Sequence, residues 1–167
     1  MLINNKQINK LFVGGPITEA INKEVFDEKL KLLFKNITSK IKEEGFVCFS
    51  AHEAENYGVN IPTSELIVKR DLKHLSESDF NLFLFPNISE NVPFRTDGSF
   101  IELGYSLKFN HPTVICTESK DLKGHSPMLK GLNAVANNVR FITINDLINS
   151  ENLSNLFEKL FQKEDEK

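Results

Sequence analysis

The stretch that decides the fold reads RTDGSFIELGY and covers Arg95–Tyr105. It starts as a polar loop containing Gly98 and continues as a helix-forming run that carries a single carboxylate, Glu102. The segments on either side are apolar and strand-like: Asp79–Phe85 reads DFNLFLF, and Pro112–Cys116 reads PTVIC. A strand, a loop, a helix and a second strand in this order predict two parallel strands joined by a helical crossover.

The same alternation continues towards both ends of the chain. The predicted strands are Lys10–Val13, Phe46–Phe49, Asp79–Phe85, Thr113–Cys116 and Arg140–Ile144. The predicted helices are Thr18–Glu44 (with Thr18 or Asn22 as N-cap), Thr63–Ser76, Gly98–Asn110, Pro127–Asn137 and Leu147–Gln162, with loops at Ser50–Pro62 and Pro86–Asp97. Strands alternating with helices predict an α/β fold, a flavodoxin-like or Rossmann-like three-layer sandwich around a five-stranded, mainly parallel sheet. In such folds the ligand binds where the crossover direction switches.

Composition limits the classes of partner. The 167 residues suffice for one domain, expected at 1–162, followed by a charged tail at 163–167. A formal charge of −3 provides no basic field for nucleic acid, so small molecules are the expected partners. Met1–Lys6 is too short and polar for a signal peptide, and no apolar run approaches the roughly 18 residues of a membrane span. We therefore expect a soluble, cytoplasmic protein that binds neither nucleic acid nor membrane.

The cysteines and histidines show no metal-binding pattern. Cys48 and Cys116 each lie in a strand-like run, and buried thiols in a reducing compartment are favoured over a disulfide. The four histidines lack the paired spacing of metal ligands; they are His52, His74, His111 and His125. We expect no metal and no cofactor.

Glu102 is the leading candidate for chemistry. The simplest interpretation is a solvated helix carboxylate, but its neighbours Ile101 and Leu103 are apolar. In the first turn of a helix, the dipole would keep the carboxylate ionised. An ionised, oriented carboxylate can attack the anomeric carbon of a sugar or stabilise an oxocarbenium ion.

Two weaker candidates accompany it. Asp71 lies on a helix that ends near the sheet edge, where an acid could bind a base or a ribose hydroxyl, or protonate a leaving group. The turn Gly14-Gly15-Pro16 follows a strand and either permits a tight bend or offers amides to a sugar or phosphate. Asp79 is more simply interpreted as a residue that ends or caps an element.

Four segments taken together resemble the nucleoside 2-deoxyribosyltransferase superfamily, which includes the 2′-deoxynucleoside 5′-phosphate N-hydrolases. They are Leu11–Ile17, Arg70–Asp79, Asp97–Tyr105 and Ser126–Gly131, in the family's order. The third is the most specific, because Glu-Leu-Gly-Tyr follows a glycine-containing loop.

The resemblance implies a role for each matched position. Glu102 would be the nucleophile at the sugar C1′, and Asp71 would contact the base or assist its departure. The substrate would be a nucleoside or nucleotide. The segment Ser126–Met128 would reach the site of a neighbouring subunit, which implies a homodimer or larger assembly. The implied substrate-binding positions are Gly14, Gly15, Pro16, Ile17, Thr18, Thr96, Asp97, Gly98, Ser126 and Met128.

Two positions depart from the family pattern. Leu11 or Phe12 stands where members often carry a tyrosine that orients the nucleophile, so Tyr57 could take that role. Thr18 stands where the nucleotide hydrolases hold phosphate with arginine, so Arg95 or Lys130 could substitute. Hydrolysis is slightly favoured over transfer to a second base. The alternatives are a TIR-like NAD glycohydrolase or cyclase and a non-catalytic nucleotide sensor.

Overall fold

The computed structural model describes residues 1–18, 20–22 and 25–162 of the chain. Its central sheet has five strands: β1 (Lys10–Gly14), β2 (Val47–Ser50), β3 (Phe80–Phe85), β4 (Thr113–Thr117) and β5 (Val139–Thr143). All four pairings are parallel, and the spatial order is β2-β1-β3-β4-β5. This is the flavodoxin-like order, so the predicted fold class is confirmed.

Seven helices and three short hairpins make up the rest of the described chain. The helices are α1 (Glu28–Glu43), α2 (Ala51–Ala54), α3 (Ser64–Glu77), α4 (Asp97–Leu107), α5 (Pro127–Val135), α6 (Ile144–Asn149) and α7 (Leu153–Phe161). The hairpins pair Leu2–Ile3 with Lys6–Gln7, Ile21–Asn22 with Val25–Phe26, and Asn87–Ser89 with Val92–Pro93. None of the described helices is both long and apolar enough to cross a membrane.

The helices cover both faces of the sheet. Along β1, Leu11 and Val13 point to the face covered by α1, α6 and α7, whereas Phe12 points to the face covered by α3, α4 and α5. Every residue of β3 is buried, as expected for a central parallel strand between two helical layers. The β1–β3 boundary is therefore the switch point, because the crossovers on its two sides run in opposite directions.

The predicted start of the first long helix was wrong. Ile21–Asn22 pairs with Val25–Phe26 in a hairpin, and α1 begins at Glu28 with Asp27 as its N-cap instead of Thr18 or Asn22. The Asp27 side chain accepts a hydrogen bond from the Leu30 amide at 2.8 Å. Apolar residues four apart fit a helix and a hairpin of this length equally well, so periodicity alone could not separate them.

Three other boundaries differ from the prediction. The C-terminal segment forms two helices, because Thr143 and Asp146 make a capping box for α6 and Asn152 caps α7. The loop predicted at Ser50–Pro62 contains α2, and the loop at Pro86–Asp97 contains a hairpin. The tail predicted at 163–167 lies outside the described residues, and the 1–162 domain boundary stays a prediction.

Candidate active site

A cavity of about 500 Å³ opens at the carboxyl edge of the sheet, beside the β1–β3 switch point. Its walls are the turn after β1 (Gly15–Thr18), the residue after α2, the inward side of α3 and the start of α4. Its volume lies within the range of about 300–1,000 Å³ that is usual for small-molecule sites. Both predicted catalytic residues, Glu102 and Asp71, line it.

Glu102 is the sixth residue of α4 and is half-buried in the cavity wall. Burial, followed by repulsion from Asp71, raises the pKa of Glu102 from 4.5 to about 8. The expectation that the helix dipole keeps Glu102 ionised was wrong. Because α4 begins at Asp97, Glu102 lies beyond the first turn, where the dipole effect has faded. This shift favours the protonated carboxyl at neutral pH.

Asp71 is buried and tied to its neighbour in the chain. Arg70 Nε donates to Asp71 Oδ1 at 2.7 Å, and Arg70 Nη2 donates to Oδ2 at 3.1 Å. This two-pronged arrangement is the strongest geometry between a guanidinium and a carboxylate. Both oxygens of Asp71 therefore accept hydrogen bonds within the protein, so its predicted role as the proton donor to a leaving group is weakened.

Sequence reasoning missed Glu55, a third carboxylate in the cavity wall. It follows α2, is 2% exposed, and accepts a hydrogen bond from Arg70 Nη2 at 2.6 Å. An isolated glutamate in a polar segment carries no sequence signal for burial. The two carboxylates raise the pKa of Arg70 further above its ordinary value, chiefly through the hydrogen bonds that Asp71 accepts from it.

The turn after β1 is held from two directions. His52 Nε2 donates to the Pro16 carbonyl at 2.9 Å, and Ser99 Oγ donates to the Gly15 carbonyl at 2.9 Å. A Cβ on Gly15 would overlap the ring of Phe34, so only glycine fits there. The turn and the start of α4 thus form one connected wall of the cavity.

His52 has a structural role in that wall. It is fully buried and stacks on Phe34 with ring centroids 3.5 Å apart. Burial lowers the pKa of His52 to about 4, so the ring is neutral at physiological pH. Since a carbonyl only accepts hydrogen bonds, the proton resides on Nε2, and Nδ1 faces the Ser50 hydroxyl at 3.4 Å.

Most of the predicted substrate-binding positions line the cavity. Those that do are Gly15, Pro16, Ile17, Thr18, Thr96, Asp97 and Gly98. Arg95 also lines it and pairs with Asp97 at 2.6 Å, which lowers the pKa of that carboxyl. Thr96 is buried, and its hydroxyl has no hydrogen-bond partner among the described residues.

Five predicted positions lie elsewhere, and one of them, Lys130, is on α5 outside the cavity wall. Gly14 ends β1 and packs beneath Phe83, so it is not part of the cavity wall. Ser126 caps α5 by accepting a hydrogen bond from the Leu129 amide, and Met128 is 85% exposed outside the cavity. Tyr57 does not line the cavity either, because it packs edge-on against Phe26.

The remaining expectations from the sequence concern the two cysteines and metal binding. Both cysteines are free, and burial raises the pKa of Cys48 to about 12. Among residues 1–18, 20–22 and 25–162, no group of three or more His, Cys, Asp or Glu side chains is arranged to hold a metal ion. The absence of a metal and of a cofactor stays a prediction.

The sequence matches no protein-family model and no curated protein, but the fold matches solved structures. BlsM superposes with a TM-score of 0.67 at 21% identity, over 84% of this chain and 90% of its own. The CMP N-glycosidase BcmB of Clostridium botulinum gives 0.57 at 15% identity, over 91% and 98%. A 2-deoxyribosyltransferase of Bacillus psychrosaccharolyticus gives 0.56 at 17% identity, over 87% and 94%. The resemblance found in the sequence is thus confirmed at the level of the fold.

Proposed function

We propose that this protein is an enzyme that cleaves the N-glycosidic bond of a nucleoside or nucleoside 5′-monophosphate, with Glu102 as the nucleophile at C1′. The observation that carries the proposal is the convergence of Glu102 and Asp71 on one cavity at the switch point of the sheet. The fold shared with a CMP N-glycosidase and a 2-deoxyribosyltransferase supports it.

The reaction proceeds by double displacement at C1′. An ionised Glu102 oxygen forms a bond to C1′ while the bond from C1′ to the base nitrogen breaks, and the electron pair leaves with the base. Water then attacks C1′, and Glu102 departs as carboxylate. The two protons of the water end on the sugar hydroxyl and the base, so nucleoside and water yield free base and free sugar.

Hydrolysis is proposed ahead of transfer to a second base. In the transferase pattern, a carboxylate from the loop before the nucleophile faces the base, whereas Asp97 is engaged by Arg95 at 2.6 Å. Two hydroxyl groups suited to a 5′-phosphate line the same cavity, those of Thr18 and Thr96. A nucleoside 5′-monophosphate is therefore the proposed substrate form.

The proposed assembly is a homodimer or larger homo-oligomer in the cytoplasm. Met128 is 85% exposed, and exposed apolar side chains on the same helical layer support an interface there: Leu66, Val68 and Ile101. Placed in such an interface, Ser126–Met128 would approach the cavity of the neighbouring copy. Free thiols at Cys48 and Cys116 fit a reducing compartment.

The test is base release from a substrate panel, followed by chromatography. The panel contains ribo- and deoxyribonucleosides, their 5′-monophosphates and NAD, each with and without a free acceptor base. We expect base release from at least one monophosphate, and loss of about 10⁴-fold or more in Glu102→Gln, because the buried carboxylates Asp71 and Glu55 are held by Arg70 and do not replace the nucleophile. Glu151→Gln, at an exposed site, is the matched control and should retain full turnover.

Other outcomes of this panel contradict the proposal in identifiable ways. Undiminished turnover in Glu102→Gln rejects Glu102 as nucleophile. Release of nicotinamide from NAD alone favours the NAD glycohydrolase, and tight binding of a nucleotide without product favours the sensor. A new nucleoside formed only when the acceptor base is present replaces hydrolysis with transfer.

A further inference from the structure

The Arg70 guanidinium links two buried carboxylates in the cavity wall. Its Nη2 lies 2.6 Å from Glu55 Oε1 and 3.1 Å from Asp71 Oδ2, while its Nε lies 2.7 Å from Asp71 Oδ1. The side chains of Glu55 and Asp71 are 2% and 4% exposed, and that of Arg70 is 21% exposed. The three groups therefore form a connected network that is largely shielded from water.

This network needs Glu55 to bring Arg70 into place. Arg70 and Asp71 are consecutive on α3, and consecutive helix residues do not face each other. Glu55 comes from a different element, just after α2, and its carboxylate accepts a hydrogen bond from the same Nη2 that reaches Asp71. The ring of Phe49, 5.8 Å from the guanidinium carbon, supports the guanidinium from one side.

The network also sets the electrostatic surroundings of Glu102. Within the described chain, the charged groups that face the cavity or interact with Glu102 are Glu55, Arg70, Asp71, Arg95 and Asp97. Arg95 and Asp97 form an exposed pair with each other at the rim. Asp71 and Glu55 raise the pKa of Glu102, and Arg70 lowers it. Arg70 thus opposes the repulsion that the two neighbouring carboxylates exert on the nucleophile.

We propose that Glu55 and Arg70 are a positioning pair for the reaction: Glu55 fixes the guanidinium, and the guanidinium holds both oxygens of Asp71 at the cavity wall beside Glu102. This inference rests on the proposed function. Held in this way, Asp71 presents its remaining lone pairs to the substrate as hydrogen-bond acceptors, and it does not donate a proton to the leaving base.

A double-mutant cycle on kcat tests whether the two residues act as one unit. We expect Arg70→Met to lower kcat about 100-fold, the size of effect that misplacing a catalytic group produces. Glu55→Gln should lower kcat as well, and Glu55→Gln/Arg70→Met should be no worse than Arg70→Met alone. Fully additive losses overturn the proposal.

If Arg70→Met fails to fold, the double variant Glu55→Gln/Arg70→Met still tests the proposal. It removes the negative charge of Glu55 together with the positive charge of Arg70, so Glu55 is not left as an unpaired buried charge. Lys69→Met and Glu65→Gln are matched controls, since both change exposed charges on α3 outside the network. Either control with a loss as large as its counterpart overturns the proposal.

Arg70→Lys separates charge from geometry. Lysine keeps the positive charge but lacks the planar fork that engages both oxygens of Asp71. We expect the titration midpoint of Glu102 to stay near the wild-type value while kcat falls about tenfold. In Arg70→Met, the midpoint should move to higher pH. The midpoint is read by ¹³C NMR of glutamate carboxyls, with the Glu102 signal assigned by its loss in Glu102→Gln.

These two readouts distinguish failure of this inference from failure of the proposed function. If no substrate turns over but the Glu102 midpoint moves in Arg70→Met and not in Arg70→Lys, the positioning arrangement stands and the proposed reaction does not. If the wild type turns over and Arg70→Met retains full kcat and an unchanged midpoint, the reaction stands and the positioning pair is rejected.

Discussion

A carboxyl group that shares a cavity with other carboxylates holds its proton more tightly than one in water, and Glu102 is in that position. Burial contributes most to its raised pKa, and the charge of Asp71 contributes next. The same surroundings make the ionised form a stronger nucleophile, because a poorly solvated anion gains more from forming a bond. The activity of Glu102 therefore depends on the fraction of the carboxyl group that is ionised.

The pH dependence of base release follows from this pKa. With a pKa of about 8 in the free protein, the ionised fraction of Glu102 falls tenfold for each pH unit below that value. We expect the logarithm of kcat/KM to rise by about one for each pH unit from pH 6 to about 8 and to level off above that. The parameter kcat/KM is the one to follow because it reports the pKa values of the free enzyme. A profile that is flat between pH 6 and pH 9 would contradict an ionised Glu102 as nucleophile.

The free energy of unfolding should change with pH in the opposite direction to base release, and fall as the pH rises. The folded pKa of Glu102 lies above its ordinary value of 4.5, so ionisation destabilises the folded state as pH rises from 4.5 to about 8. Glu102→Gln removes that penalty. We expect the variant to have a free energy of unfolding roughly 4 kcal/mol higher than the wild type at pH 8, with almost no difference at pH 4.

Urea unfolding at both pH values measures this difference. Glu151→Gln is again the matched control and should leave the free energy of unfolding unchanged at both pH values. An equal effect of Glu102→Gln on the free energy of unfolding at pH 4 and pH 8 would show that ionisation of Glu102 does not destabilise the folded state.

At the scale of elements, the cavity depends on how the turn after β1 is joined to α2 and to the start of α4. The turn after β1 reaches the start of α4 through the hydrogen bond between Ser99 Oγ and the Gly15 carbonyl, and reaches α2 through His52 and Pro16. These contacts cross large separations in the sequence and satisfy carbonyls that would otherwise be buried without partners. The cavity wall therefore depends on contacts between separate elements.

Substitution of Gly15 tests that packing. We expect Gly15→Ala to lower the free energy of unfolding by about 2 kcal/mol and to weaken substrate binding, since the new methyl group would overlap Phe34 and the Leu84 carbonyl. Gly104→Ala is the matched control in α4, where an added Cβ meets nothing within 4 Å. It should be neutral or stabilising by up to about 1 kcal/mol. Equal stability of the two variants would contradict the close approach at Gly15.

At the scale of the whole molecule, one face of the sheet holds most of the hydrophobic core, and the helices on the other face supply the cavity residues. The face under α1, α6 and α7 holds the larger hydrophobic cluster, which includes Phe34 and Phe157. The other face carries α3 and α4, which supply the cavity residues, and α5 with the exposed Met128. Exposed apolar side chains on the second face are the basis of the proposed homo-oligomer.

Mass in solution tests that assembly. We expect size-exclusion chromatography with light scattering to give at least twice the 19.0 kDa of one chain. Met128→Asp should shift the protein towards the monomer and lower base release, because a charge would be buried in the interface. Leu32→Asp changes an exposed leucine on α1, on the opposite face, and should alter neither property. A monomeric wild type with full turnover would contradict the proposal.

The sequence alone predicted those parts of the molecule that local patterns encode. The apolar run of β3 and the alternation of strands with helices specified a parallel sheet, because only a strand covered on both faces needs such a run. The polar stretch around Gly98 marked the start of the helix that carries the candidate nucleophile, although Gly98 itself lies in the first turn of α4 and not in a loop. Helix starts were predicted less well, since the Asp27 cap competes with Thr18 and Asn22 in the same periodic stretch.

Only the tertiary structure decided the charge state of the cavity. That Glu55 is buried, that Arg70 engages both oxygens of Asp71, and that Glu102 lies past the first turn of α4 all follow from how separate elements meet. An ionisable group has its ordinary pKa until neighbours remove water and add charge, and sequence spacing does not say which neighbours those are. The chain thus determined the fold and the identity of the candidate nucleophile, whereas the folded environment determined its protonation.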